Sequence, residues 1–241
     1  MGMETRVAMR LSSPRLHDVL VDKGPDDEVI LVPAAPFSVA VYEAAAHKEL
    51  SLLAHPPQLR CVKPWGTAPE LIAAYVEGIL GAIGDKSDAT HVILSAHSLP
   101  QVVIDRGDLY AQQFESTCRL VTEGLRSALA QKGLGPTRVD HCYQSQGTME
   151  GEWLGPDLES TMRAAQKGGA ERVIVSPIGF LTEHIETLYD LDVEAAKQAA
   201  SWGLGWERVP ALGSHPGLIA AMAGAVLHLG QGSFSAPGSS R

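Results

Sequence analysis

Asparagine is absent from the 241 residues, and cysteine is scarce: Cys61, Cys118 and Cys142 are odd in number, widely spaced and form no C-x-x-C. That pattern argues against a disulfide framework and against a cysteine-only zinc or iron–sulfur site, and leaves free thiols in a reducing cytosol. Ten glutamines are retained, so the missing asparagine reads as compositional bias, not as a thermostability device. No run approaches the ~18 apolar residues of a membrane span. Arg6, Arg10 and Arg15 have no apolar stretch behind them, so no signal peptide is expected here. Gly2 is present, but Arg6 stands where a myristoylation signal needs Ser or Thr. Positive charge is in deficit: 19 Lys and Arg against 28 Asp and Glu give a net charge of -9. A general nucleic-acid or anionic-membrane binder is therefore disfavoured, because the chain repels phosphate. There is no G-x-G-x-x-G, no P-loop, no G-x-S-x-G and no H-E-x-x-H, so phosphate cradling, a nucleophile elbow and a zincin site are not the theme.

What is present is a core-forming chain. At 45% hydrophobic residues it is too apolar for disorder and long enough for between one and two domains. Short β-branched runs at residues 5–9, 28–32, 59–62, 91–94, 138–143, 172–176 and, more weakly, 206–209 alternate with helical patterns. Those patterns fall at about 14–23, 40–53, 69–83, 110–131, 156–168, 186–201 and 215–229. Such alternation predicts an α/β fold with parallel sheets and helices on both faces. The wholly apolar runs Val29-Ile30-Leu31-Val32 and Val173-Ile174-Val175 predict strands buried on both faces. The Gly/Ser-rich tail from 230 to 241 is expected to be disordered.

Ligands of parallel sheets sit beyond the carboxyl ends of the strands, so the residues that follow each strand carry the most information. Among four such strand ends only Ser95-Ala96-His97-Ser98-Leu99-Pro100 offers a titratable side chain, His97. His97 suits proton exchange or metal ligation, or it simply caps a strand. Glu186, Asp190 and Glu194 are spaced i, i+4, i+8, which α-helical geometry places on one face. That row is either an ordinary solvated face or a carboxylate ladder suited to a hard divalent ion or to protons. Trp153, just before Pro156, either packs on a flat ligand or staples the start of a helix in which Pro156 takes the first position. Ser95 or Ser98 beside His97 would suggest a hydrolase, but no nucleophile-elbow motif surrounds either.

Five segments, in order, resemble the ferrochelatase family: Ser95-Ala96-His97-Ser98-Leu99-Pro100, Arg106-Gly107-Asp108-Leu109-Tyr110, Tyr143-Gln144-Ser145, Trp153-Leu154-Gly155-Pro156, and residues 182–192 reading TEHIETLYDLD. The resemblance runs from about residue 5 to 228. It implies two Rossmann-like, chelatase-like lobes and insertion of Fe²⁺ into a porphyrin, protoporphyrin IX or coproporphyrin III, in haem biosynthesis. It implies that His97 is metal ligand or proton acceptor, that Glu186 faces it across the macrocycle, and that Asp190 and Glu194 line a path for the metal. Trp153 would help wall the pocket, with Ser95, Ser98, Ser145 and His184 among the residues contacting substrate. The chemistry agrees with these residue types: metallation strips water from the ion and removes two pyrrole protons, which a histidine and a carboxylate on opposite faces of a distorted ring can do. Porphyrin and ferrous iron are then the partners, iron being substrate, with no prosthetic group, in a cytoplasmic monomer without nucleic acid or a membrane span.

The chain departs from the family's pattern in three places. Leu109 replaces a proline, Phe37 stands where relatives often have glutamine or histidine, and the sequence opens directly into what looks like the family's second strand. A partial first lobe is therefore expected at 1–57 with 211–229, and a second lobe, carrying the site, at 58–210. Some relatives bind a [2Fe–2S] cluster through C-terminal cysteines; no cysteine follows Cys142, so none is expected. The alternatives are a catalytically impaired porphyrin- or metal-binding relative, a chelatase for another ion such as cobalt, and a metal-independent hydrolase using Ser98.

Overall fold

The structure is a computed structural model describing residues 3–85, 87–147 and 150–231, with the side chains of Glu186 and of residues 230 and 231 outside that description. The expected disordered tail lies, from residue 232 onward, outside the described residues. In chain order the elements are α1 (Leu16–Leu20), β1 (Glu28–Leu31), α2 (Val39–Leu50), β2 (Gln58–Cys61), α3 (Pro69–Ile83), β3 (Thr90–His97), α4 (Gln101–Asp105) and α5 (Tyr110–Gln131). There follow β4 (Arg138–Gln144), α6 (Leu158–Lys167), β5 (Arg172–Ser176), α7 (Ile185–Thr187), a π-helical segment (Leu188–Ala195), α8 (Ala196–Ser201), β6 (Gly205–Arg208) and α9 (Pro216–Gln231). The chain divides into two compact units, residues 1–65 with 222 onward, and residues 66–221.

The larger unit holds a parallel sheet in the order β4-β3-β5-β6. β3 is interior and buried over its whole length up to His97. One face packs Ile93, Val173 and Val175 against Met162 of α6, Leu191 of the π-helical segment and Ala199 of α8. Side chains alternate across a strand, so Val92, Leu94 and Ile174 turn to the other face. There α3 and α5 pack on each other and on the sheet, with Leu71, Ile79, Phe114 and Leu125 fully buried. This is the α/β layering that the alternating pattern predicts.

In the smaller unit β1 and β2 pair in parallel, Val29 opposite Leu59. Val29, Ile30 and Leu31 are only half-buried, against the expectation of burial on both faces. A second difference has the same cause. Residues 5–9 form no strand: Val7 and Met9 are exposed, and the segment is tied down by Arg6, which pairs with Asp22 and, at 2.7 Å, with Glu4. An apolar run becomes a strand only where it finds a ladder partner, and among the described residues β1 and β2 pair only with each other.

Other differences are local. Pro156 is not the first helical residue; α6 begins at Leu158, capped by Asp157, whose carboxylate accepts from the Ser160 N–H at 2.7 Å. The stretch expected as one helix over 186–201 is three pieces, and its middle is π-helical. With i→i+5 hydrogen bonds the turn is wider than in an α-helix, so the four-residue step from Asp190 to Glu194 falls just short of a turn where in an α-helix it slightly exceeds one, and the two still follow one another along one side of the segment. Asp190 is half-buried and Glu194 exposed.

Candidate functional site

The site is built at the carboxyl ends of β3, β4 and β5, where parallel sheets bind ligands. His97 is the last residue of β3, in register with Gln144 at the end of β4. The ladder runs one step further, the Ser98 N–H donating to the Gln144 carbonyl at 2.7 Å. The His97 ring is half-buried, and its Nδ1 lies against the Ser98 carbonyl. A carbonyl only accepts, so Nδ1 is the donor in this contact, which fixes the orientation of the ring. The His97 carbonyl in turn accepts from the Tyr110 hydroxyl at 2.9 Å. Tyr110 starts α5 after a turn in which Gly107 has φ +96° and Asp108 accepts from the Tyr110 N–H at 2.8 Å.

Beyond β5, residues 177–180 fold back over β3. The Gly179 N–H donates to the Ser95 carbonyl at 3.0 Å. A Cβ at Gly179 would lie 2.5 Å from the Ala96 Cβ, so only glycine permits this approach. The turn delivers Phe180, whose ring centroid is 6.4 Å from that of His97 and 5.1 Å from that of His184. The Tyr75 hydroxyl braces the same turn by donating to the Ile178 carbonyl at 2.8 Å.

The segment around Trp153 is laid across the ends of β3 and β4. Leu154 N–H donates to the Leu99 carbonyl at 2.9 Å, Gln101 N–H to the Glu152 carbonyl at 2.8 Å, and Tyr143 N–H to the Pro156 carbonyl at 2.9 Å. Trp153 pairs with Pro100 in an antiparallel bridge and its indole covers Gly147, where a Cβ would come within 3.0 Å of the ring. On the other side, Ser145, at φ +60°, donates its hydroxyl to the Asp190 carboxylate, joining the end of β4 to the π-helical segment.

The expected residues thus separate. His97, Phe180 and His184 share one neighbourhood through ring contacts, and Ser145 is joined to Asp190. Ser95 and Ser98 are fully buried, and their hydroxyls donate inward, Ser95 to Gln144 Oε1 at 2.6 Å and Ser98 to the Leu154 carbonyl at 2.9 Å. They brace the floor of the site from below instead of meeting solvent. Glu194 is exposed, one residue from the end of the π-helical segment. Glu186, the expected partner of His97, belongs to α7, and its side chain lies outside the described residues. Among the described residues no group of three or more His, Cys, Asp or Glu side chains is gathered for a metal ion, and no helix is long and apolar enough to cross a membrane. Sequence reasoning missed Gln144, Phe180 and Gly179. Gln144 ends β4 and the other two stand within four residues of the end of β5, so the rule that pointed to His97 pointed to them too, but none titrates.

A doubly covered parallel sheet with a histidine at the end of an inner strand, beside an acidic helical segment, defines an α/β protein of the kind that binds ligands at its strand ends. Comparison with known proteins supplies the family. The ferrochelatase family model matches residues 1–229, and the chain belongs to that family. A ferrochelatase from Deinococcus radiodurans is 32% identical over 234 residues, covering 93% of this chain and 72% of the relative. A coproporphyrin III ferrochelatase from Anoxybacillus flavithermus is 30% identical, covering 84% of this chain and 64% of the relative. A ferrochelatase from Thermus thermophilus is 34% identical, covering 73% and 54%. The chain therefore spans between about half and three quarters of the length of these relatives. Among solved structures, a CbiX protein from Marinobacter aquaeolei VT8 covers 60% of this chain and 99% of its own, at 19% identity and a TM-score of 0.37, a likeness too slight to bear on reaction or metal.

Proposed function

We propose that this chain inserts Fe²⁺ into a porphyrin as a ferrochelatase of haem biosynthesis, with His97 at the reacting centre. The observation that carries the reading is the place of His97, held against the Ser98 carbonyl at the end of an inner strand, in a chain of this family. Insertion replaces two pyrrole N–H bonds by Fe–N bonds and releases two protons. An imidazole such as that of His97 is chemically suited to take a pyrrole proton or to hold the ion during that exchange. The family resemblance assigns the opposing carboxylate to Glu186, and Asp190 and Glu194 form an oxygen-rich approach that favours a hydrated divalent cation. Trp153, Phe180 and His184 offer flat surfaces to a macrocycle. Ser145 orients Asp190, while Ser95 and Ser98 hold the floor.

Coproporphyrin III is the substrate we put first, because the stretch Ala35-Pro36-Phe37-Ser38-Val39-Ala40-Val41-Tyr42 resembles bacterial enzymes of that type and coproporphyrin III ferrochelatases are among the relatives. On this reading the protein is a cytoplasmic monomer with iron as its substrate. The test is anaerobic Fe²⁺ insertion followed by the fall in porphyrin fluorescence, with coproporphyrin III and protoporphyrin IX side by side. Faster turnover of coproporphyrin III is expected. Absence of turnover with both, in a folded chain that still quenches on binding porphyrin, favours the porphyrin-binding alternative.

A further inference from the structure

Arg208 ends β6, its side chain only 12% exposed. Its guanidinium meets Asp192 fork to fork, Nε to Oδ1 at 2.6 Å and Nη2 to Oδ2 at 2.9 Å, and Nη1 reaches Glu183 Oε1 at 2.7 Å. Glu183 also accepts from the Ala211 N–H at 2.8 Å, and the Gly213 N–H donates to the Leu181 carbonyl at 2.7 Å. The strand and the loop after it are thus stitched to both ends of one short stretch. Glu183 stands just before α7 and Asp192 stands inside the π-helical segment. Together they bracket residues 184–191, which include His184, Glu186 and Asp190.

That stretch needs holding. A π-helix is rare and usually no longer than one turn, and nothing in the local sequence demands one. Thr187 and Leu191 anchor it to the core from below. Asp190 and Asp192 place two carboxylates two residues apart; Ser145 engages the first and Arg208 the second. A planar guanidinium can hold one carboxylate with two parallel bonds and another with its remaining nitrogen, which an ammonium cannot.

We infer that Arg208 is a positioning residue for metal delivery: its clamp on Glu183 and Asp192 keeps the π-helical register that presents Asp190 and Glu194 to the incoming cation. The inference rests on the function proposed above, and its test separates the two. In the intact chain, Arg208→Lys and Arg208→Ala are compared with the parent by amide hydrogen exchange and by steady-state insertion kinetics. Exchange over residues 185–196 is expected to quicken about tenfold or more, with β3 and β5 unchanged. The KM for Fe²⁺ is expected to rise about tenfold while porphyrin affinity, read by fluorescence quenching, falls by much less, since Trp153 and Phe180 lie outside the clamped stretch. Arg208→Lys keeps the charge and lies between parent and alanine. Unchanged exchange in both variants overturns the clamp whatever the activity. Equal losses in iron and porphyrin affinity overturn metal positioning and leave Arg208 a structural residue. A parent that inserts no iron defeats the proposed function, and the exchange result still decides the clamp.

Discussion

Gly179→Ala tests how the site is held together. The added Cβ would lie 2.5 Å from the Ala96 Cβ and 2.7 Å from the Ala96 Cα, against an ordinary carbon–carbon contact of about 3.5–4.0 Å. One partner must retreat by about 1 Å or more. Ala96 cannot: it is fully buried in β3 and laddered to Tyr143 of β4. The turn at 177–180 must therefore lift, stretching the Gly179 N–H to Ser95 carbonyl bond and carrying Phe180 away from His97. Overpacking of this kind costs about 1–3 kcal/mol and a lost hydrogen bond about 1 kcal/mol. The sum, about 2–4 kcal/mol, corresponds to roughly 4–16 °C in melting temperature for a chain of this size. Gly81→Ala is the control. That glycine lies within α3 with nothing within 4 Å of its virtual Cβ, and the change should hold or raise stability by up to about 1 kcal/mol. Thermal unfolding by circular dichroism reads both. A Gly179→Ala protein that melts with the parent would refute the close-approach argument.

Three further outcomes follow from the same geometry. Ser95→Ala leaves the buried Gln144 carboxamide oxygen without its donor and should cost about 1–3 kcal/mol in denaturant titration; no change in midpoint would mean that Ser95 is not a brace. Asp157→Ala removes the cap of α6 and should cost about 1 kcal/mol, a fall of roughly 2–4 °C in melting temperature. Burial, with Glu43 nearby, pushes the Cys61 thiol up to about 11, and burial pushes Cys118 and Cys142 higher still. Only the thiolate alkylates, so at pH 8 iodoacetamide should leave all three intact in the native protein and label all three in urea, as read by mass spectrometry. Rapid native labelling of Cys118 would contradict its burial.

Much of the larger unit was legible because its signals are local. Residues 69–83 and 110–131 carry unbroken helical patterns, and Val173-Ile174-Val175 reads as a doubly buried strand, as found. His97 was legible as the lone titratable group after an apolar strand. The π-helical segment was not. Its sequence fits α-helical periodicity, and what goes with the wider turn is tertiary: the Asp192–Arg208 pair, 16 residues apart, and the tie from Ser145. Arg208 could not be singled out from sequence, since a lone arginine ending a weak strand reads as surface charge. The buried roles of Ser95 and Ser98 were hidden for a related reason. A serine beside a candidate histidine looks like a substrate contact until the Gln144 and Leu154 acceptors are known. Residues 5–9 show the converse, a β-branched run with no partner to make it a strand.

The central claim, that His97 is the group at which metal replaces protons, is tested most directly by anaerobic Fe²⁺ insertion into coproporphyrin III by the parent and by His97→Ala. Turnover is expected in the parent and its loss, by about a hundredfold or more, in the variant, with unfolding temperature and porphyrin quenching retained in both. Insertion by His97→Ala at the parent's rate would contradict it.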